Sequence, residues 1–190
     1  LAGINDSSWD ILYSRVTPAG TEPGPTKVKR MRLLSLILLL LLPNIAFSME
    51  KADSVLVIKS HAKLYLKKNG NVLQAFHVAF GANPEGHKEQ EGDERTPEGH
   101  YLLDYKKEDS AFYKSIHISY PNDVDKRRAK IAGVSPGGNI MIHGQKNGHG
   151  WLWWLTQRFN WTDGCIAVSN SAMDEIWASV DVGTPIEIRP

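Results

Sequence analysis

Residues 62–68 and 71–80 are strand-length runs joined by Asn69-Gly70. Asn-Gly in that setting is the strongest local hairpin signal, because both positions tolerate the positive φ of a type I′ turn. Just before them, 54–59 (SVLVIK) is β-branched and reads as a strand buried on both faces. Three antiparallel strands are therefore expected to open the folded region. Strand character returns at 100–105, 112–120, 139–143, 166–168 and 184–189. Only two stretches read as helices. One is 123–132, whose Lys126, Arg127, Arg128 and Lys130 form a solvated face; the other is 169–180, with Met173, Ile176, Trp177 and Val180 along one side. Between them in style stands 81–99, polar and glycine-rich, too long for an ordinary connection and so expected to serve function. The class is all-β or β-rich mixed, with one or two short helices.

A different pattern precedes this region. Lys27, Lys29, Arg30 and Arg32 lead into an almost unbroken apolar run at 33–42. Ten helical residues cover about 15 Å, roughly half of a bilayer's hydrocarbon core, so no stable membrane span is expected. Pro43 and Asn44 end the run, and Ala46-Phe47-Ser48 supplies small residues where a signal peptidase reads. Residues 31–48 thus read as a secretory signal peptide, 1–30 as a spurious or disordered extension upstream of Met31, and 49–190 as the working domain.

Of 190 residues, 22 are basic and 21 acidic, which leaves no field broad enough to grip nucleic acid. The single cysteine, Cys165, rules out an internal disulfide framework and any multi-cysteine metal site. In an exported protein that thiol is a buried hydrophobe, an intermolecular link or a reactive nucleophile. Thr162-Asp163-Gly164-Cys165 places it after a turn and before an apolar strand, a junction that exposes a side chain and frees backbone N–H groups for an oxyanion. A nucleophilic thiol needs a base. Among seven histidines His143 stands out, ending an apolar strand and preceding Gly144. A satisfied structural histidine and a zinc ligand shared with His149 are the competing readings.

His143-Gly144, 17 intervening residues and Thr162-x-Gly164-Cys165 resemble the signature of the L,D-transpeptidase (YkuD) catalytic domain family. Tyr65 with the Asn69-Gly70 turn, Thr96-Pro97-x-Gly99 and the closing Val182-Gly183-Thr184-Pro185-Ile186 are similar to that family too, so the resemblance spans 54–189. It implies a β-sandwich of mixed sheets and a peptidoglycan enzyme needing no metal or organic cofactor. Cys165 would attack the carbonyl at the L-centre of the third stem-peptide residue. His143 would act as general base and acid, the Gly144 carbonyl would orient it, and Gly164 N–H would hold the oxyanion. An amine resolving the thioester gives a crosslink or attaches a wall protein; water gives L,D-carboxypeptidase or amidase activity. A catalytically silent wall-binding domain is the alternative from another class. The implied location is the periplasm or cell wall of a bacterium.

Two positions depart from the family pattern: Asp163 stands where a histidine is common, and Ala167 where Arg or Asn is common. Asp163 is expected to orient His143; set against Cys165 it would instead oppose the thiolate. Thr162, Trp154 and Arg158 are the candidate substrate-binding residues. The aromatic run 151–161 is expected either to wall the cleft or to pack in the core.

Overall fold

The computed structural model describes residues 50–190; the signal-like segment 31–48 and residues 1–30 lie outside them. Eight strands form one hydrogen-bonded sheet in the order β3-β2-β1-β8-β4-β5-β6-β7. They are β1 Ser54–Ile58, β2 Lys63–Lys68, β3 Asn71–His77, β4 Gly99–Ser110, β5 Tyr113–Ile118, β6 Met141–His143, β7 Ile166–Ala167 and β8 Thr184–Arg189. The sheet is mixed: β1 runs parallel to β8 and β6 parallel to β7, and the remaining neighbours are antiparallel. Asn69 and Gly70 take φ of 51° and 80°, as the hairpin signal requires. Just past β3, Ala79 exchanges two backbone bonds with Ala167 of β7, at 2.9 and 2.8 Å. The two edges of the sheet therefore meet, and the sheet curls around its own core.

That core is the inward row of every strand, including Val55, Val57, Leu64, Leu66, Leu103, Ile116, Ile142, Ile166, Ile186 and Ile188. The expectation that β1 is buried on both faces is corrected: Val55 and Val57 are buried while their neighbours are partly exposed. Parallel pairing with β8 secures both edges of β1, but only the inner face of a curled sheet is covered.

Three short helices complete the fold. Helix α1, Asp123–Ala132, has a reciprocal capping box between Asn122 and Asp125 and ends at Gly133 in the left-handed region. Its basic residues face solvent, as their pattern implied. Helix α2, Trp153–Thr156, is a single turn within the aromatic run. Helix α3, Asn170–Ser179, buries Met173 and Ile176 in the core, and Val180 just beyond its end is buried with them. The β-rich mixed class read from the sequence is the class observed. Among the described residues no helix is long and apolar enough to cross a membrane.

Candidate active site

His143 ends β6 and Cys165 immediately precedes β7, and these strands pair with Ile142 beside Ile166 and His143 beside Ala167. Both isoleucines point into the core. Alternation then turns Met141, His143 and Cys165 to the outer face. β5 extends that surface, with Ser115 beside His143 and His117 beside Met141. Cys165 thus sits one strand across and two positions back from His143. Both line a cavity of about 290 Å³ with Phe112, Asn139, Trp161 and Asp163.

The histidine is held rigidly. It is 4% exposed, and its ring lies 4.7 Å from that of Phe112 and 5.9 Å from that of Trp161. Nδ1–H donates to the Gly144 carbonyl at 2.6 Å, as expected for the orienting group. That bond selects the neutral tautomer with its lone pair on Nε2. A Cβ on residue 144 would come within 2.7 Å of Asn170 Oδ1 and 2.9 Å of Tyr113 Cβ, so only glycine fits there. Burial lowers the His143 pKa, and the bond to Gly144 offsets part of the drop.

Cys165 sits on a turn tied by Thr162. Its Oγ1 donates to Cys165 O at 2.7 Å and accepts Gly164 N–H at 3.2 Å. Gly164 has φ +120°, and a Cβ there would lie 2.6 Å from Arg95 O. Thr162 lines the cavity, but its buried hydroxyl braces this turn, and the Gly164 N–H, expected as an oxyanion donor, is engaged by it. The thiol donates to Asn139 O at 3.7 Å. Burial pushes the thiol pKa up; Met141 N–H pulls it down, Asp163 raises it further, and Lys88 lowers it.

Asp163 stands near the sulfur, where its charge raises the thiol pKa, and makes no hydrogen bond to the imidazole. Nδ1 is taken by Gly144, and the carboxylate is exposed on the cavity rim. Among the described residues no hydrogen bond joins Asp163 to His143, so the orienting role expected from the sequence has no direct contact behind it. Trp154 and Arg158 are not in this cavity; they lie together outside it, the guanidinium 5.9 Å from the indole centroid. The aromatic run is not core, because Trp151, Trp153, Trp154 and Phe159 are 51–70% exposed. Trp161 alone walls the cleft. His149 is exposed and bonds Asn147 O, away from the cavity, so the zinc pairing with His143 has no geometric basis.

Sequence reasoning missed Phe112 and Ser115. The alternation of β5 carries the signal for Ser115, which must share a face with His117. Phe112 lies in the β4–β5 turn, where periodicity is silent.

A model of the L,D-transpeptidase catalytic domain, YkuD, matches residues 52–188. An Escherichia coli (strain K12) protein named "Putative L,D-transpeptidase YafK" is 29% identical over 121 residues, covering 62% of this chain and 42% of that protein. The chain thus spans less than half the length of this curated relative. The helical cell shape determining protein Pgp2 from Campylobacter jejuni superposes with a TM-score of 0.51 at 25% identity, over 84% of this chain and 54% of that one. Bd1075 from Bdellovibrio bacteriovorus shares the fold, with a TM-score of 0.52 at 22% identity over 77% of this chain and 49% of that one. With the family model covering nearly all the described residues, the chain belongs to the L,D-transpeptidase catalytic domain (YkuD) family.

Proposed function

We propose that the protein is an exported peptidoglycan L,D-transpeptidase that works through a thioester on Cys165. One observation carries the reading. The Nδ1–H of His143 is locked on Gly144, so the ring offers an unprotonated Nε2 to the cavity that holds Cys165. Burial keeps both partners neutral at rest, because it lowers the imidazole pKa and raises that of the thiol. The pair is therefore a thiol beside a general base and not a standing ion pair.

As sulfur attacks the carbonyl carbon, its proton passes to Nε2. The oxyanion takes the Cys165 N–H. Collapse breaks the C–N bond, and His143 returns the proton to the departing amine, the terminal D-amino acid. An acceptor amine then attacks the thioester, gives its proton to His143 and releases the thiol, making a crosslink or joining a wall protein to the polymer. Water in that role yields a carboxypeptidase or amidase. Phe112 and Trp161 cover one side of the imidazole and limit its contact with water, which supports the amine as acceptor.

The test is incubation with disaccharide-tetrapeptides followed by mass analysis. The expected products are a covalent adduct on Cys165 and crosslinked dimers, both abolished in Cys165→Ala. Shortened monomers would replace the transferase with a hydrolase. The absence of any adduct would make the protein a wall-binding domain.

A further inference from the structure

The sheet edges that meet at Ala79 and Ala167 part again beyond that point. β3 leads off along 74–77, while the chain after β7 turns into the first residues of α3. The gap is a groove of about 470 Å³, one wall of which carries Trp153, Gln157 and Arg158. Ligand sites commonly measure ~300–1,000 Å³. The cysteine cavity shares none of the groove's residues.

Gln74 bonds Glu175 on the far wall of this groove and Ser169 bonds Ser171, but the wall of Gln157 and Arg158 is unspent. Gln157 is only 9% exposed; its Nε2 donates to Ala167 O at 3.3 Å, and its Oε1 has no hydrogen-bond partner. An unpaired buried acceptor is costly, and a donor would relieve it. Arg158 has no carboxylate partner among the described residues and lies by the Trp154 ring. The same segment presents Trp151, Trp153, Trp154 and Phe159 to solvent. From 144 to 162 it contains Lys146 and Arg158 and no acid. Exposed rings on this scale mark a binding face.

Rings flanked by an amide and a guanidinium suit a chain of pyranoses. The C–H faces of a sugar stack on indole, its hydroxyls donate to an amide oxygen, and its ring and carbonyl oxygens accept from arginine. A lipid surface would cover the rings but give Gln157 Oε1 no donor. Distance agrees. Gln157 bonds Ala167, two residues or about 7 Å of strand from Cys165. A three-residue stem spans ~10 Å. Resting on the reading of Cys165 given above, we infer that this groove and its aromatic wall bind the glycan strand of the polymer whose stem peptide reacts at Cys165.

The experiment uses the full chain carrying Cys165→Ala, with two probes: purified glycan strands stripped of stem peptides, and vesicles of anionic phospholipid. Retention on glycan is expected, and Trp153→Ala or Arg158→Ala should weaken it about tenfold with an unchanged thermal midpoint. Arg158 is exposed, so its variant keeps the test open if Trp153→Ala misfolds. Lack of glycan binding, binding insensitive to both substitutions, or retention on vesicles alone would overturn the inference. Glycan binding requires no chemistry at Cys165, so it can fail while the thioester reading stands, and stand while that reading fails.

Discussion

Two long connections converge on Cys165, and they are built in opposite ways. The first, 78–98, is polar in sequence and anchored by two buried lysines, while Glu85, Glu89, Glu91 and Glu94 stay exposed. Lys59 reaches Gly86 O at 2.6 Å, Thr96 O at 3.4 Å and Glu98 at 2.7 Å. Lys88, 3% exposed, pairs with Asp93 at 2.7 Å, and Asp93 also accepts the N–H groups of Glu89, Gln90 and Arg95. The second, 144–164, is aromatic, yet most of its rings point outward. A polar segment can be anchored through buried charges when those charges are saturated, and an apolar one is left exposed where it has a surface to meet. The pinned connection shapes the seat of Cys165. On the reading proposed above, the open one offers a face to substrate.

The two connections touch at a pair of glycines, and breaking that contact should have the largest effect. A Cβ at Gly81 would lie 1.9 Å from Glu94 O and 3.1 Å from the Gly164 Cα, against backbone on both sides. Gly81→Ala should cost about 4 kcal/mol or more, by overpacking. Chemical unfolding and alkylation of Cys165 in the native state would check it. A well-folded variant with an unaltered thiol would show that the seat is not set by this crossing.

Unpinning the first connection comes next. Asp93→Ala leaves the buried Lys88 ammonium with only the Gln90 carbonyl, at 3.1 Å. The expected loss is about 3 kcal/mol. Its pH dependence has a defined sign. Burial pushes the Asp93 carboxyl up, but Lys88 and three backbone N–H groups outweigh it and hold the pKa at about 2, below the ordinary 3.8. The wild-type advantage is therefore complete above about pH 4 and is lost as pH falls toward 2. Urea unfolding of both proteins at pH 7, 4 and 2.5 would reveal it, and a gap constant with pH would contradict this account.

Much of this architecture is legible because its causes are local. The observed bounds of α1 and β8 match the sequence reading, as does the Asn69-Gly70 turn, since caps, periodicity and turn chemistry are written in adjacent residues. The pairing of His143 with Cys165 shows in their order and in the Gly-flanked motifs around them. The closure through Ala79 and Ala167 does not show, because two alanines 88 positions apart carry no pattern. Nor does the engagement of Gly164 N–H by Thr162, which depends on how a four-residue turn closes. Asp163 shows the limit most clearly. Its charge is visible in the sequence, but which neighbour feels that charge is decided by Gly144, which occupies the imidazole first.

The smallest predicted effect tests the two connections against each other at the sulfur itself. Each supplies one charge: Lys88 from the pinned connection lowers the thiol pKa, and Asp163, the only acid in the open one, raises it. Asp163→Asn removes the opposing charge, so alkylation of Cys165 should move to lower pH and run faster at pH 7.5. Because Asp163 is exposed and screened, the gain should stay under about threefold, and added salt should reproduce part of it in the wild type. An orienting role for Asp163 would give the reverse, with slower acylation by tetrapeptide in the variant and no acceleration by salt. The sign of the change therefore decides whether the open connection carries its acid as a brake on the nucleophile or as a support for the base.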